Sequence, residues 1–234
     1  MKVGIMQPYF IPYIGYWQLM NAVDKYVIYD DVNYIKGGWI NRNRILVDGN
    51  PRYFNVPMKG ATPNILINEV RVDNNNSIIN KNLRRIEGAY KKAPYYGDVY
   101  PMMEKILWCG KENIVEFIEY SFHVICDYLN IHTDFLMSSD LDKDNDLRGQ
   151  DKVLAICSQL NATEYYNAIG GKKLYSHEIF NKHGVQLKFM KTNDICYKQF
   201  GGEFQSNLSI LDVMMFNSIG KIKEYMEEYT LVME

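Results

Sequence analysis

Two short apolar runs near the N-terminus constrain the fold more than any other feature of the chain. Lys2-Val-Gly-Ile-Met6 reads as a buried parallel strand, and Lys25-Tyr-Val-Ile-Tyr29 as a second. Between them lie a turn bounded by Pro8 and Pro12 and a stretch, Tyr13 to Val23, that can form a helix with a proline near its start. Strand, helix and strand in so short a space make a βαβ unit, whose crossover is expected to be right-handed. The expected fold class is therefore α/β, with an open, mostly parallel, Rossmann-like sheet.

The rest of the chain extends this rhythm and interrupts it once. Arg44 to Val47 and Arg52 to Val56 flank Asp48-Gly49-Asn50, a hairpin signal, and Leu66 to Val72 is expected to add a strand. This makes a β insertion over about residues 44–72. A helical region over about 75–130 follows, with apolar faces at Ile79, Leu83, Ile86 and Tyr90, at Met102, Met103, Ile106 and Leu107, and from Ile114 to Leu129. Alternation then resumes. Strands are expected at Asp134–Met137, Glu164–Tyr166 and Val185–Met190, and helices at Gln150–Leu160, Lys173–Lys182 and Lys221–Glu228. Ser209 and Asp212 have the spacing of a capping box for a late helix. With 234 residues and nearly half of them hydrophobic, the chain is expected to be one domain, 1–234, with a large core.

Composition bears mainly on partners. A net charge of −2 gives no pull toward nucleic acid or an anionic membrane. No apolar run reaches the roughly 18 residues that a membrane span requires. Cys109, Cys126, Cys157 and Cys196 form no CxxC pair and read as reduced thiols. Without a signal peptide before the first strand, a cytoplasmic location is expected. The four histidines have no metal-ligand spacing and read as structural or surface residues. Nineteen tyrosines suit either packing or a cleft lined by rings that also donate hydrogen bonds.

In an open parallel sheet, ligands bind beyond the carboxyl ends of the strands. Gln7-Pro8, Asp30-Asp31, Ser138-Ser139, Asn167 with Gly170-Gly171, and Lys191-Thr192 should meet there. Gly15, at the start of the first helix, lets a phosphate approach free N–H groups or serves close helix–strand packing. Lys36-Gly-Gly-Trp39-Ile-Asn41-Arg42-Asn43-Arg44 places three cations, two amides and an indole within nine residues. Arginine forks suit phosphate or carboxylate, and Trp39 suits the face of a base or sugar. Asp30 and Asp31 suit a Mg²⁺ site or the orientation of these arginines. Consecutive side chains on a strand diverge, so one of the two should face the ligand.

Gln7-Pro-Tyr-Phe-Ile-Pro-Tyr-Ile-Gly-Tyr16, Asp30-Asp-Val-Asn-Tyr-Ile-Lys36, Trp39 and Asn41-Arg-Asn-Arg-Ile45 resemble the opening of the WbqC-like proteins. Gly170-Gly-Lys-Lys-Leu-Tyr175, Tyr197 to Gln199 and Leu208-Ser-Ile-Leu-Asp212 match the same pattern, so the resemblance spans nearly the whole chain. It implies a setting in bacterial O-antigen and related surface polysaccharide synthesis. The reaction it suggests is attachment of an acyl or aminoacyl group, such as glycine, to a nucleotide-linked amino sugar. The opening is also similar to that of the HxGH nucleotidyltransferases, which implies ATP, with Mg²⁺, and adenylyl transfer. Here both histidine positions are tyrosines, Tyr13 and Tyr16, which are neutral near pH 7.

On this reading Lys36, Arg42, Arg44 and Asp30 act in catalysis. Gln7, Tyr13, Gly15, Tyr16, Trp39, Asn43, Gly170 and Gly171 bind nucleotide or substrate, and Asp31 holds the metal. The expected partners are a sugar nucleotide and a carboxylate or amino acid donor. The alternative is a non-catalytic sugar-nucleotide-binding or partner-binding protein.

Overall fold

A computed structural model describes residues 1–233. The two apolar runs form β1 (Lys2–Met6) and β2 (Lys25–Ile28), paired in parallel with Val3 opposite Lys25, and α1 (Ile14–Ala22) connects them. The insertion supplies the antiparallel hairpin β3 (Arg42–Val47) and β4 (Asn50–Asn55), then the short pair β5 (Met58–Lys59) and β6 (Arg71–Val72). Helices α2 (Asn76–Tyr90), α3 (Tyr96–Leu107) and α4 (Ile114–Leu129) come next. The chain then runs through β7 (Asp134–Met137), α5 (Gly149–Gln159), β8 (Glu164–Ala168), α6 (His177–Lys182) and β9 (Gln186–Thr192). It ends with α7 (Ile210–Phe216), α8 (Ile219–Met226) and β10 (Tyr229–Val232).

The main sheet has the order β10-β9-β8-β1-β2-β7 and is parallel except for β10. The chain leaves β1 toward β2 and β7 on one side, then returns to lay β8 and β9 on the other. The switch point therefore lies between β1 and β8, and the five parallel strands end on one edge.

Alternation along the strands sorts the core onto two faces. Tyr26 and Ile28 point into the large cluster built with α1–α4, α7 and α8, whereas Val3, Ile5 and Val27 point into a smaller one with Val153, Ile156, Cys157 and Phe180. No helix among the described residues is long and apolar enough to cross a membrane.

Three expectations change in detail. Leu66–Val72 is not one strand. It forms a 3₁₀ turn, Ile67–Glu69, followed by the two-residue β6, because the N–H groups of Ile67 and Asn68 donate to the carbonyls of Val32 and Asp30 beyond β2. The expected helix at Lys173–Lys182 breaks at Tyr175, and Ser176 caps the shorter α6 by accepting from the Ile179 N–H. Ser209 does cap α7, but Asp212 does not complete a capping box. The Ser209 N–H donates to the Arg44 carbonyl, and Asp212 turns inward to accept from Tyr90, Tyr197 and Gln199.

Candidate functional site

The loop between β1 and α1 is fixed from several sides. Ile11 holds φ at 41°, a left-handed conformation uncommon for a β-branched residue and less favourable still before proline. Its carbonyl accepts from Asn43 Nδ2 at 2.8 Å and Ser209 Oγ at 2.7 Å, and the Phe10 carbonyl also accepts from Asn43 Nδ2, at 3.0 Å. The Pro12 carbonyl accepts from Trp17 Nε1 and the Ile210 N–H. Strained backbone held so firmly is a frequent mark of a binding loop.

This loop and β3 enclose a cavity of about 250 Å³ lined by Tyr9, Pro12, Tyr13, Trp39, Asn43, Arg44 and Asn207. The Arg44 guanidinium lies 5.5 Å from the centre of the Trp39 ring, and its Nη2 donates to the Asn207 carbonyl at 3.2 Å. Its buried Nε has no partner. An arginine bordering a cavity beside an indole is equipped to take an oxyanion through its guanidinium edge while the rings take a flat or sugar-like group. Burial raises the Tyr9 and Tyr13 hydroxyls above the ordinary phenol range, so both are hydrogen-bond donors at neutral pH and not bases. Behind Tyr13 a second hollow, lined in part by Thr192, Asp194, Cys196 and Tyr197, shares Tyr13 and Asn207 with the first.

Tyr13, Trp39, Asn43 and Arg44 thus come together, and the other expected residues lie elsewhere. Tyr16 is buried and stacked on Tyr9 at 5.0 Å, and its hydroxyl donates to the Gln7 carbonyl at 3.5 Å. Lys36 is exposed on the turn before β3. Arg42 folds that turn by donating to the Gly37 and Gly38 carbonyls and lies 4.6 Å from the centre of the Tyr53 ring. Gly15 is a packing glycine, since a Cβ there would come 2.5 Å from the Tyr13 ring and 2.6 Å from Thr192 Oγ1. Gly170 and Gly171 lie in a 3₁₀ turn after β8, where Gly171 packs against Asn167. Neither glycine lines the cavities described here.

Asp30 and Asp31 diverge, as expected for neighbours beyond a strand. Asp30 is buried and accepts from the Ser139 N–H at 2.9 Å, Ser139 Oγ at 2.6 Å and Asn68 Nδ2 at 3.2 Å. It ties β2 to the loop after β7. Asp31 faces a cavity of about 490 Å³, lined also by Asn33, Asn68, Ser139, Asn145, Arg148 and Lys152.

Lys143 Nζ and Lys152 Nζ each stand 2.8 Å from the same Asp31 oxygen. Burial alone would raise the Asp31 pKa, but the two ammonium groups hold the carboxyl below its ordinary value. A carboxylate already shared by two cations does not fit the role of a metal ligand, and no cluster of three His, Cys, Asp or Glu occurs among the described residues.

The sequence reading missed Lys143, Arg148 and Lys152. The available signal was Lys152 on the apolar face of α5, one turn before Ile156. Tyr9 and Asn207 were also missed, and they join the site only through the loop geometry.

An uncharacterized protein of Mycobacterium tuberculosis (strain ATCC 25618 / H37Rv), Rv1507c, is 28% identical over 230 residues, which cover 96% of this chain and 97% of that protein. No solved structure matches. The sequence model of the WbqC-like protein family matches residues 7–224, spanning the fixed loop, the aromatic cavity and α7. The chain belongs to the WbqC-like protein family.

Proposed function

We propose that the cavity of Tyr9, Tyr13, Trp39, Asn43 and Arg44 binds a nucleotide-linked amino sugar of surface polysaccharide (O-antigen) synthesis, and that the protein attaches an acyl or aminoacyl group to it. The observation that carries this reading is Arg44, which borders the cavity with its guanidinium beside the Trp39 ring and with Nη2 engaged on the Asn207 carbonyl. The arginine takes a phosphate of the ligand, Trp39 and Tyr9 take its ring faces, and the Tyr13 hydroxyl and Asn207 orient its polar edge.

In the ATP-dependent form, a carboxylate such as glycine attacks the α-phosphorus, forming an acyl adenylate and releasing diphosphate. The sugar amine then attacks the acyl carbon, the acyl–phosphate bond breaks, AMP leaves and the amine loses a proton to solvent. A second reading, non-catalytic sugar-nucleotide binding, is favoured by one observation. Tyr13 and Tyr16 stand at the HxGH histidine positions, and burial holds both hydroxyls protonated.

Calorimetry with a UDP- or dTDP-linked amino sugar tests the binding step, followed by an assay for AMP and diphosphate with ATP and a panel of carboxylates. The first reading expects binding and turnover, with both lost in Arg44→Gln. Binding without AMP or acylated product selects the second. No binding to wild type, or unchanged binding in Arg44→Gln, overturns both.

A further inference from the structure

We propose that the cavity between the end of β2, the loop after β7 and the start of α5 is a phosphate-binding site, separate from the aromatic cavity and independent of the reading given for it. It lies at the carboxyl edge of the sheet, where the fold places ligands. Its wall carries two cations, Lys152 and Arg148, and one carboxylate, Asp31, which already has Lys143 as a second partner.

Asp30 is occupied by Ser139 and Asn68 and does not line the cavity. Asp140, Asp142, Asp144 and Asp146 in the preceding loop, and Asp151 in α5, are exposed and do not line it either.

The donors converge. Lys152 Nζ spends two contacts on Asp31, the Oδ2 at 2.8 Å and the carbonyl at 2.9 Å, and an ammonium has three N–H groups. Arg148 spends only Nη1, on the carbonyls of Asn145 and Leu147, which leaves the other edge of its fork. It is also the N-cap residue of α5, and no side chain caps the free N–H groups of that helix. Ammonium and guanidinium therefore border one polar space beside the start of α5. Asn33, Asn68 and Asn145 supply further side-chain amides at the wall. This combination suits a tetrahedral oxyanion of charge −2 better than a carboxylate or a neutral sugar.

The shared chemistry is a phosphate group, whether free, on a sugar or at the end of a nucleoside triphosphate. Calorimetry with inorganic phosphate and with ATP, on wild type and three variants, tests the site. Wild type should bind inorganic phosphate. Arg148→Gln, an exposed change that leaves the Asp31 ion pairs intact, should weaken it roughly tenfold. Lys152→Met, if circular dichroism shows it folded, should do the same, and Arg44→Gln in the aromatic cavity should not. A nucleotide source shows as ATP binding tighter than phosphate and weakened in parallel by Arg148→Gln. Equal or weaker ATP binding points to a free or sugar-borne phosphate. The proposal is overturned if wild type binds neither ligand, if Arg148→Gln binds phosphate as wild type does, or if Arg44→Gln is the variant that loses it.

Discussion

Replacing Gly15 by alanine would drive a methyl group against the Tyr13 ring and the Thr192 hydroxyl, both less than 3 Å from the new Cβ. Thr192 is held where it is by donating its Oγ1 to Gln18 Oε1, so the Tyr13 ring, which borders the cavity, has to give way. Gly15→Ala should therefore cost about 2 kcal/mol, read as a lower denaturation midpoint, and should weaken ligand binding by shifting Tyr13.

Asp31 makes a second residue-scale case. Asp31→Asn leaves two buried ammonium groups without their counter-charge and should destabilise by about 3–5 kcal/mol. The pH dependence follows from the lowered Asp31 pKa. The unfolded chain holds its proton to higher pH than the folded one, so this contribution is present above the unfolded value and is lost as pH falls through the folded one. Acid unfolding below about pH 4 should be steeper in wild type than in Asp31→Asn, by circular dichroism.

At the scale of elements, the hairpin sets the position of Asn43 and Arg44. Asp48 and Gly49 hold φ at 49° and 72°, the left-handed pair that a tight two-residue turn requires. Gly49→Ala should cost about 1 kcal/mol, read as a small drop in Tm. Asn43→Ala removes the donor that holds the Phe10 and Ile11 carbonyls and should cost about 2 kcal/mol. The two variants separate stability from site geometry. Gly49→Ala should leave sugar-nucleotide affinity near wild type, and Asn43→Ala should lower it, because only the second releases the strained loop. Equal affinities in the two would show that the loop does not need this clamp.

For the molecule as a whole, β10 was not expected, yet it closes the edge of the sheet by pairing antiparallel with β9. Gln18 in α1 donates to the carbonyls of Tyr225 and Glu228 just before it, so the C-terminal segment also holds α1 in place. Truncation before Tyr229 should lower Tm and promote association through the bared edge of β9, seen by light scattering.

The sequence by itself determined the α/β class, the order of most helices and strands, and the family. These follow from local periodicity, turn residues and contiguous motifs, all of which can be read along the chain. It also led to the expectation of ligand chemistry between Gln7 and Arg44, and in the fold Tyr13, Trp39, Asn43 and Arg44 line one cavity.

Tertiary structure decided which neighbours face a cavity. Arg42 and Arg44 are two residues apart in β3, yet one folds its own turn and the other borders the aromatic space. Asp31 suited a cation in the sequence, and the fold supplied lysines from α5 and the loop before it. Those lysines lie more than a hundred residues away, and no local pattern specifies pairing over that distance. Side-chain direction and long-range charge compensation are fixed only when the sheet closes, because both depend on which strands become neighbours.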